Sequence, residues 1–201
     1  HFGESQLSDY AFKSRFKKSI YTLWGVCLLS TLVFYNQSEL LILCQAFTDT
    51  VQFGHVFDHP SIDYLFYGSN VILITILCLK KYRDKNNTQD LLAELFQLFL
   101  IHLTFYLFPI VISFTLYFIF LHSMKVLTQE YNYLREVRPE LDLKKFIVLL
   151  LPHTLVSLIF LFVFYMGIQT QVLPISLFLF SVISISVITL PHAIIMTNFY
   201  D

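Results

Sequence analysis

The sequence predicts an all-α fold, a polytopic transmembrane helical bundle with about six spanning helices in a single integral membrane domain over residues 1–201. Three observations carry that reading. Charged residues make up 13% of the chain and apolar ones 56%, whereas a soluble domain carries about 25% charged residues, so much of this surface faces something other than water. The apolar residues gather in runs near the length of about 20 residues that a helix needs to cross a hydrocarbon core. The runs lack two-residue alternation, which removes the outer-membrane barrel. Backbone in lipid must satisfy its own hydrogen bonds, so these runs are helices.

The first span covers residues 20–35 and the second 62–79. The apolar stretch 91–121 is too long for one span and is broken by Pro109, whose ring removes a backbone donor and clashes with the preceding turn. It divides into a third span, 91–108, and a fourth, 109–125, joined by a very tight turn. The fifth and sixth spans run over 145–168 and 173–199. Residues 39–57 are of mixed polarity and read as an interfacial or re-entrant helix, and 129–142 as a solvated helix and loop.

Drawn this way, all 13 Lys and Arg fall on one side, from Lys13 before the first span through Lys80 after the second to Arg138 between the fourth and fifth. The opposite loops hold Glu39, Asp49, Asp58 and Asp63 and no basic residue. The positive-inside rule then places the basic loops in the cytoplasm and the chain in the cell (inner) membrane as a multi-pass protein. A five-span drawing would split the basic clusters between two sides, which independently supports the break at Pro109.

The net charge of -1 excludes a general nucleic-acid partner. Cys27, Cys44 and Cys78 are too widely spaced for a CxxC metal site, and read as small, buried, reduced side chains. There is no GxSxG motif for a nucleophilic serine, and five glycines include no phosphate-binding loop. The 22 Phe residues fit apolar surface packed against aromatic or polyene material, and fit ordinary lipid contact equally. Asn36-Gln37-Ser38 is a glycosylation sequon of a kind common by chance, and carries no weight. The chain opens on His1 with no signal-like segment, and is expected to lack its natural start.

Histidines sort by depth in this topology. His1 precedes the first span on the basic side, His122 lies near the basic-side end of the fourth, and His192 about two turns from that end of the sixth. His153 lies roughly 12 Å into the fifth span from the same side. Four imidazoles from four parts of the chain thus share one leaflet. Ionisable side chains at membrane depth usually face a bundle interior, and neutral imidazole suits iron or copper with open coordination positions. The competing reading is a hydrogen-bonded packing role for each, and for His153 the carbonyl freed by Pro152 supplies a partner. His55 and His59 form one HxxxH spacing, where di-iron desaturase-type enzymes need several, and read as exposed loop residues. His102 falls towards the other leaflet and reads as a packing residue.

The opening His1-Phe2-Gly3, the run Tyr117-Phe118-Ile119-Phe120-Leu121-His122-Ser123 and the ending Leu190-Pro191-His192 resemble, in order, three blocks of the Brp/Blh membrane proteins, β-carotene 15,15'-dioxygenases. The stretch from Trp24-Gly25 through Gln37-Ser38-Glu39 and the Pro109 turn are similar as well, so the resemblance covers nearly the whole chain. It implies oxidative central cleavage of β-carotene to retinal by O2 at a non-haem Fe(2+) held by histidines. It maps metal ligands onto His1 and His122 and matches His192 to the final block; His153, singled out by its depth and not by the resemblance, is a candidate additional ligand. Three departures accompany it. The upstream Pro-His-Gly block is absent, Val126 stands where a second His usually follows four residues after the first, and Gln6 stands where an Asp is common.

An oxygenase of this kind would bind β-carotene between helices, with Tyr117 and Phe118 lining the tunnel and Ser123 holding a ligand ring from behind. No catalytic group beyond the metal ligands is expected, and membrane lipid is the surrounding partner. Two rivals remain open. A non-catalytic relative would bind or hand over a carotenoid or retinal, and Val126 is the feature that favours it. An unrelated transporter would show paired carboxylates or broken helices at mid-membrane, and the spans hold no acid near their centres.

Overall fold

A computed structural model of the chain describes residues 2–7, 14–83, 91–173, 175–176, 179–181 and 184. All regular structure among the described residues is helical. In chain order the helices are α1 (Phe2–Leu7), α2 (Ser14–Tyr35), α3 (Gln37–Gln45), α4 (Val51–Phe57), α5 (Ser61–Arg83), α6 (Leu91–Leu107), α7 (Ile110–Leu116), a π segment (Tyr117–Ser123), α8 (Met124–Val137) and α9 (Leu143–Gln169).

The core lies where α2, α5 and α6 meet. On α2 the buried residues are Tyr21, Trp24, Cys27, Leu28, Thr31 and Leu32, and on α5 they are Ile62, Phe66, Ser69, Asn70, Leu73 and Leu77. Steps of three and four place each set on one stripe of its helix. α6 adds Leu98, Ile101 and Phe105. The opposite faces are also apolar but exposed, with Leu29, Val71, Ile72, Phe96 and Phe99 pointing outward. In water such faces would join into a large apolar patch of the kind soluble monomers avoid.

Four helices among the described residues are long and apolar enough to cross a membrane: Phe16–Tyr35, Ser61–Tyr82, Ile110–Val137 and Leu143–Gln169. α6, at 17 residues, is shorter. These five correspond to the first five expected spans. The sixth, over 173–199, falls almost wholly outside the described residues. α9 is capped by Asp142, whose carboxylate accepts the Leu143 backbone N–H at 2.7 Å, and its apolar side chains, among them Val148, Leu151, Val156, Ile159 and Phe162, are exposed.

The break at Pro109 is built as the sequence predicts. α6 ends at Leu107 and α7 starts at Ile110, because Pro109 cannot donate to the turn before it. Glu39 stabilises the restart: its carboxylate accepts the Ile110 N–H at 2.8 Å, satisfying one of the amides that every helix start leaves unpaired.

Three expectations need correction. Residues 39–57 form two short helices, α3 and α4, rather than one. The fourth helix does not end at Lys125 but continues through α8 to Val137, so the helix expected within 129–142 is continuous with that span, and the loop follows over 138–142. Cys78 is exposed while Cys27 and Cys44 are buried, because its position on α5 falls on the outward apolar face.

Candidate active site around His122

The site is assembled from the short helix α1 and the π segment. α1 packs on α2 and reaches the π segment and α8. Gly3 permits this: a Cβ there would meet the Tyr21 backbone, 2.6 Å from both its Cα and its carbonyl carbon. Any larger residue would push the two helices apart. Three polar contacts then fix the end of α1. The buried Gln6 side chain donates to the amide oxygen of Gln97 on α6, and the Gln6 carbonyl accepts the Lys125 ammonium at 2.8 Å. The Tyr21 hydroxyl donates to the Leu7 carbonyl at 3.4 Å. A cation on the last carbonyls of a helix satisfies acceptors that would otherwise be unpaired.

Facing α1, the π segment carries Tyr117 and His122, which are 3% and 5% exposed. Hydrogen bonds to the fifth residue on widen the helix, so residues four and five apart crowd one face. The His122 ring accordingly lies 5.3 Å from the Phe118 ring and 6.4 Å from that of Tyr117, nearly parallel to the latter. Val126, one turn further, is also buried. Single-turn π insertions occur often at functional sites, and this run of seven residues holds every candidate site residue of the fourth span.

Beside the segment, Trp24 is 1% exposed and its indole N–H has no hydrogen-bond partner among the described residues. It belongs to the same core cluster as Leu7 and Tyr117. A buried donor left unpaired costs about 1–3 kcal/mol, so a retained one marks a place where an acceptor could be received.

Of the residues singled out in the sequence, the rings of Tyr117, Phe118 and His122 come together, and Ser123 follows His122 on the same segment. His1 and His192 lie outside the described residues. His153 follows Pro152 inside α9, and its side chain lies outside the described set. Among the described residues no group of three or more His, Cys, Asp and Glu is gathered as a metal site. His55 sits in the last turn of α4 and His59 beyond its end, so the two do not share a helical face. Both are exposed, and His59 Nδ1 pairs with the Ser61 hydroxyl at 3.0 Å. Asn36 of the sequon is buried and donates to the Leu32 and Phe105 carbonyls at 3.0 and 3.1 Å, a packing role that shields it from modification.

What pattern reading missed is the anchoring of α1 by Gln97 and Lys125, and the π geometry itself. A glutamine in the middle of an apolar span was the available signal for the first, since polar side chains within spans usually bond across helices. A π insertion leaves no such mark.

A family model described as beta-carotene 15,15'-dioxygenase matches residues 1–200. The chain belongs to that family. Neither a curated protein nor a solved structure matches it. His122 and Ser123 lie on the π segment, and Val126, one turn beyond His122, is a buried apolar side chain.

Proposed function

We propose that the protein is a membrane-embedded, iron-dependent dioxygenase that cleaves the central double bond of β-carotene to give two molecules of retinal. The observation that carries this is the family match over residues 1–200 together with the buried imidazole of His122 among aromatic rings. O2 and the carbon–carbon double bond are consumed together, one oxygen atom going to each new aldehyde.

The donor set suits Fe(2+). His1, His122 and His192, with His153 as an additional ligand, would offer neutral nitrogens and leave coordination positions open; the Trp24 indole N–H has no lone pair for a metal and stands only as a hydrogen-bond donor without a partner among the described residues. Bound iron supplies the activation of oxygen. The chain supplies the rest. The apolar walls formed by Tyr117, Phe118 and the core around Phe105 exclude water and hold a polyene in one orientation. Ser123, next to His122, orients the imidazole, and Gly3, Gln6 and Lys125 fix α1 against the π segment.

β-Carotene dissolves only in lipid, which accords with helices whose outer faces are apolar. In the full topology six spans cross the cell (inner) membrane with the basic loops in the cytoplasm. Cells that accumulate β-carotene and express the protein should lose carotenoid colour and gain retinal. Good expression without retinal would refute the proposal.

One observation favours a second reading, carriage of carotenoid or retinal without chemistry: Val126 removes an imidazole that the family pattern provides. Purified protein that retains carotenoid but only substoichiometric iron, and forms no retinal on iron loading, would establish it.

A further inference from the structure

A groove between α5 and α6, floored by α2, lies away from the π segment. Its cavity of about 710 Å3 is lined by Phe34, Tyr35, Phe66, Asn70, His102 and Tyr106, among others, and among the described residues no Asp, Glu, Lys or Arg lines it. The floor is flat and aromatic, the Phe34 and Phe66 rings stacking at 4.0 Å and 3°. Its rim, which includes Val71, Phe99 and Leu103, belongs to the exposed apolar faces of α5 and α6. In a bilayer the groove therefore opens towards lipid, and its occupant reaches it from lipid.

Its polar groups serve one another. The Asn70 amide nitrogen donates to the Phe66 carbonyl at 2.9 Å and to the Thr31 hydroxyl at 3.3 Å, which turns its oxygen towards His102 Nε2 at 2.9 Å. That nitrogen is then the donor, and His102 Nδ1 accepts from the Tyr35 hydroxyl at 3.2 Å. The Cys27 thiol also donates to the Asn70 oxygen, at 3.2 Å. With both ring nitrogens engaged, His102 is a wall of the groove and not a metal ligand or a base.

α6 connects this groove to the site. Phe105, one turn from His102, meets Tyr117 of the π segment with ring centroids 6.0 Å apart. His102 precedes Pro109 by seven residues and His122 follows it by thirteen. On antiparallel helices rising 1.5 Å per residue, their levels differ by about 9 Å. One conjugated arm of a carotenoid is long enough to bridge that offset.

We propose that the groove seats one cyclic end group of the polyene while its central double bond lies beside His122, a reading that rests on the dioxygenase proposal above. The flat, uncharged floor suits a hydrocarbon ring in conjugation with a rigid chain, and the distance from His122 fixes which double bond is presented. The groove thereby acts as a ruler for central cleavage.

The test compares β-carotene with an acyclic carotene of the same chain length, which has no ring end group, using the full chain in detergent or membranes. Val71→Trp fills the groove from its exposed rim. Val111→Trp, exposed on α7 and outside the groove, is the control. V71W should raise KM for β-carotene about tenfold, change that for the acyclic substrate much less, and give some off-centre product. V111W should leave both substrates unaffected. Equal kinetics for V71W and the native protein on both substrates would overturn the proposal and leave the groove to an ordinary lipid chain. Equal losses on both substrates would overturn it too. If the native protein neither binds nor cleaves β-carotene, this inference and the functional proposal fall together, whereas native cleavage with an indifferent V71W sinks this inference alone.

Discussion

Replacing Gly3 by alanine tests whether α1 is seated as described. A Cβ at position 3 would lie 2.6 Å from the Tyr21 Cα and carbonyl carbon, whereas ordinary contacts begin near 3.4 Å. The obstacle is backbone and has no alternative rotamer, and the Tyr21 carbonyl oxygen is nearer still, so α1 must withdraw from α2 by more than about 0.8 Å. Forcing extra atoms into packed structure costs about 1–3 kcal/mol. The larger consequence is for catalysis. α1 reaches the π segment that carries His122, and a misplacement of about 1 Å at a reacting centre can cost on the order of a hundredfold in rate. Gly25→Ala is the matched control, since a Cβ there meets nothing within 4 Å. In a helix interior that change should add about 0.5–1 kcal/mol of stability. The assay is thermal unfolding in detergent alongside retinal formation from β-carotene. G3A should melt earlier and lose most of its activity, while G25A should do neither. A G3A protein with native melting and native turnover would refute the close crossing of α1 over α2.

Val126→His places an imidazole one turn from His122 on the same buried face. It should raise the iron retained after purification, read by metal analysis, despite an overpacking cost of about 1–3 kcal/mol. Unchanged iron would mean that position 126 does not face the metal. Asn70→Leu removes the acceptor shared by Cys27 and His102, and should cost about 1–2 kcal/mol in a detergent unfolding titration. No measurable loss would show that these bonds are replaced elsewhere. Glu39→Ala exposes the Ile110 amide at the Pro109 restart, with an expected loss of about 1 kcal/mol and faster hydrogen exchange at Ile110. Unaltered exchange there would remove Glu39 from the cap.

The spans were legible because lipid leaves little choice. An apolar run of sufficient length favours a helix and Pro109 ends one, so α2, α5, α6 and α9 fall close to where hydropathy put them and α7 restarts after Pro109, whereas the pair α3 and α4 and the run of α8 to Val137 were not foreseen. What the sequence hid is how those helices hold together. In lipid, burial gives no strong reason for one helix to choose another, and the choice falls to a few polar contacts: Asn70 with His102 and Cys27, Gln6 with Gln97, Glu39 with the Ile110 amide. Their partners lie far apart in the chain, so no local pattern announces them.

For the candidate site, the run from Tyr117 to Ser123 was visible as a block, but its π geometry was not. The exchange of a heptad-like face for one that aligns residues 117, 118 and 122 depends on backbone hydrogen bonds that side-chain identity does not specify. His102 was read as a packing residue, and its two engaged nitrogens agree with that. Its place in the wall of an aromatic groove emerged only when α2, α5 and α6 were set side by side.

X-ray absorption at the iron edge of the purified, iron-loaded protein, compared with His122→Ala, tests the central claim most directly. The account predicts a shell of nitrogen and oxygen scatterers at about 2 Å with the outer-shell pattern of imidazole, diminished in the variant. Iron that does not stay with the native protein, or a spectrum that H122A leaves unchanged, would contradict it.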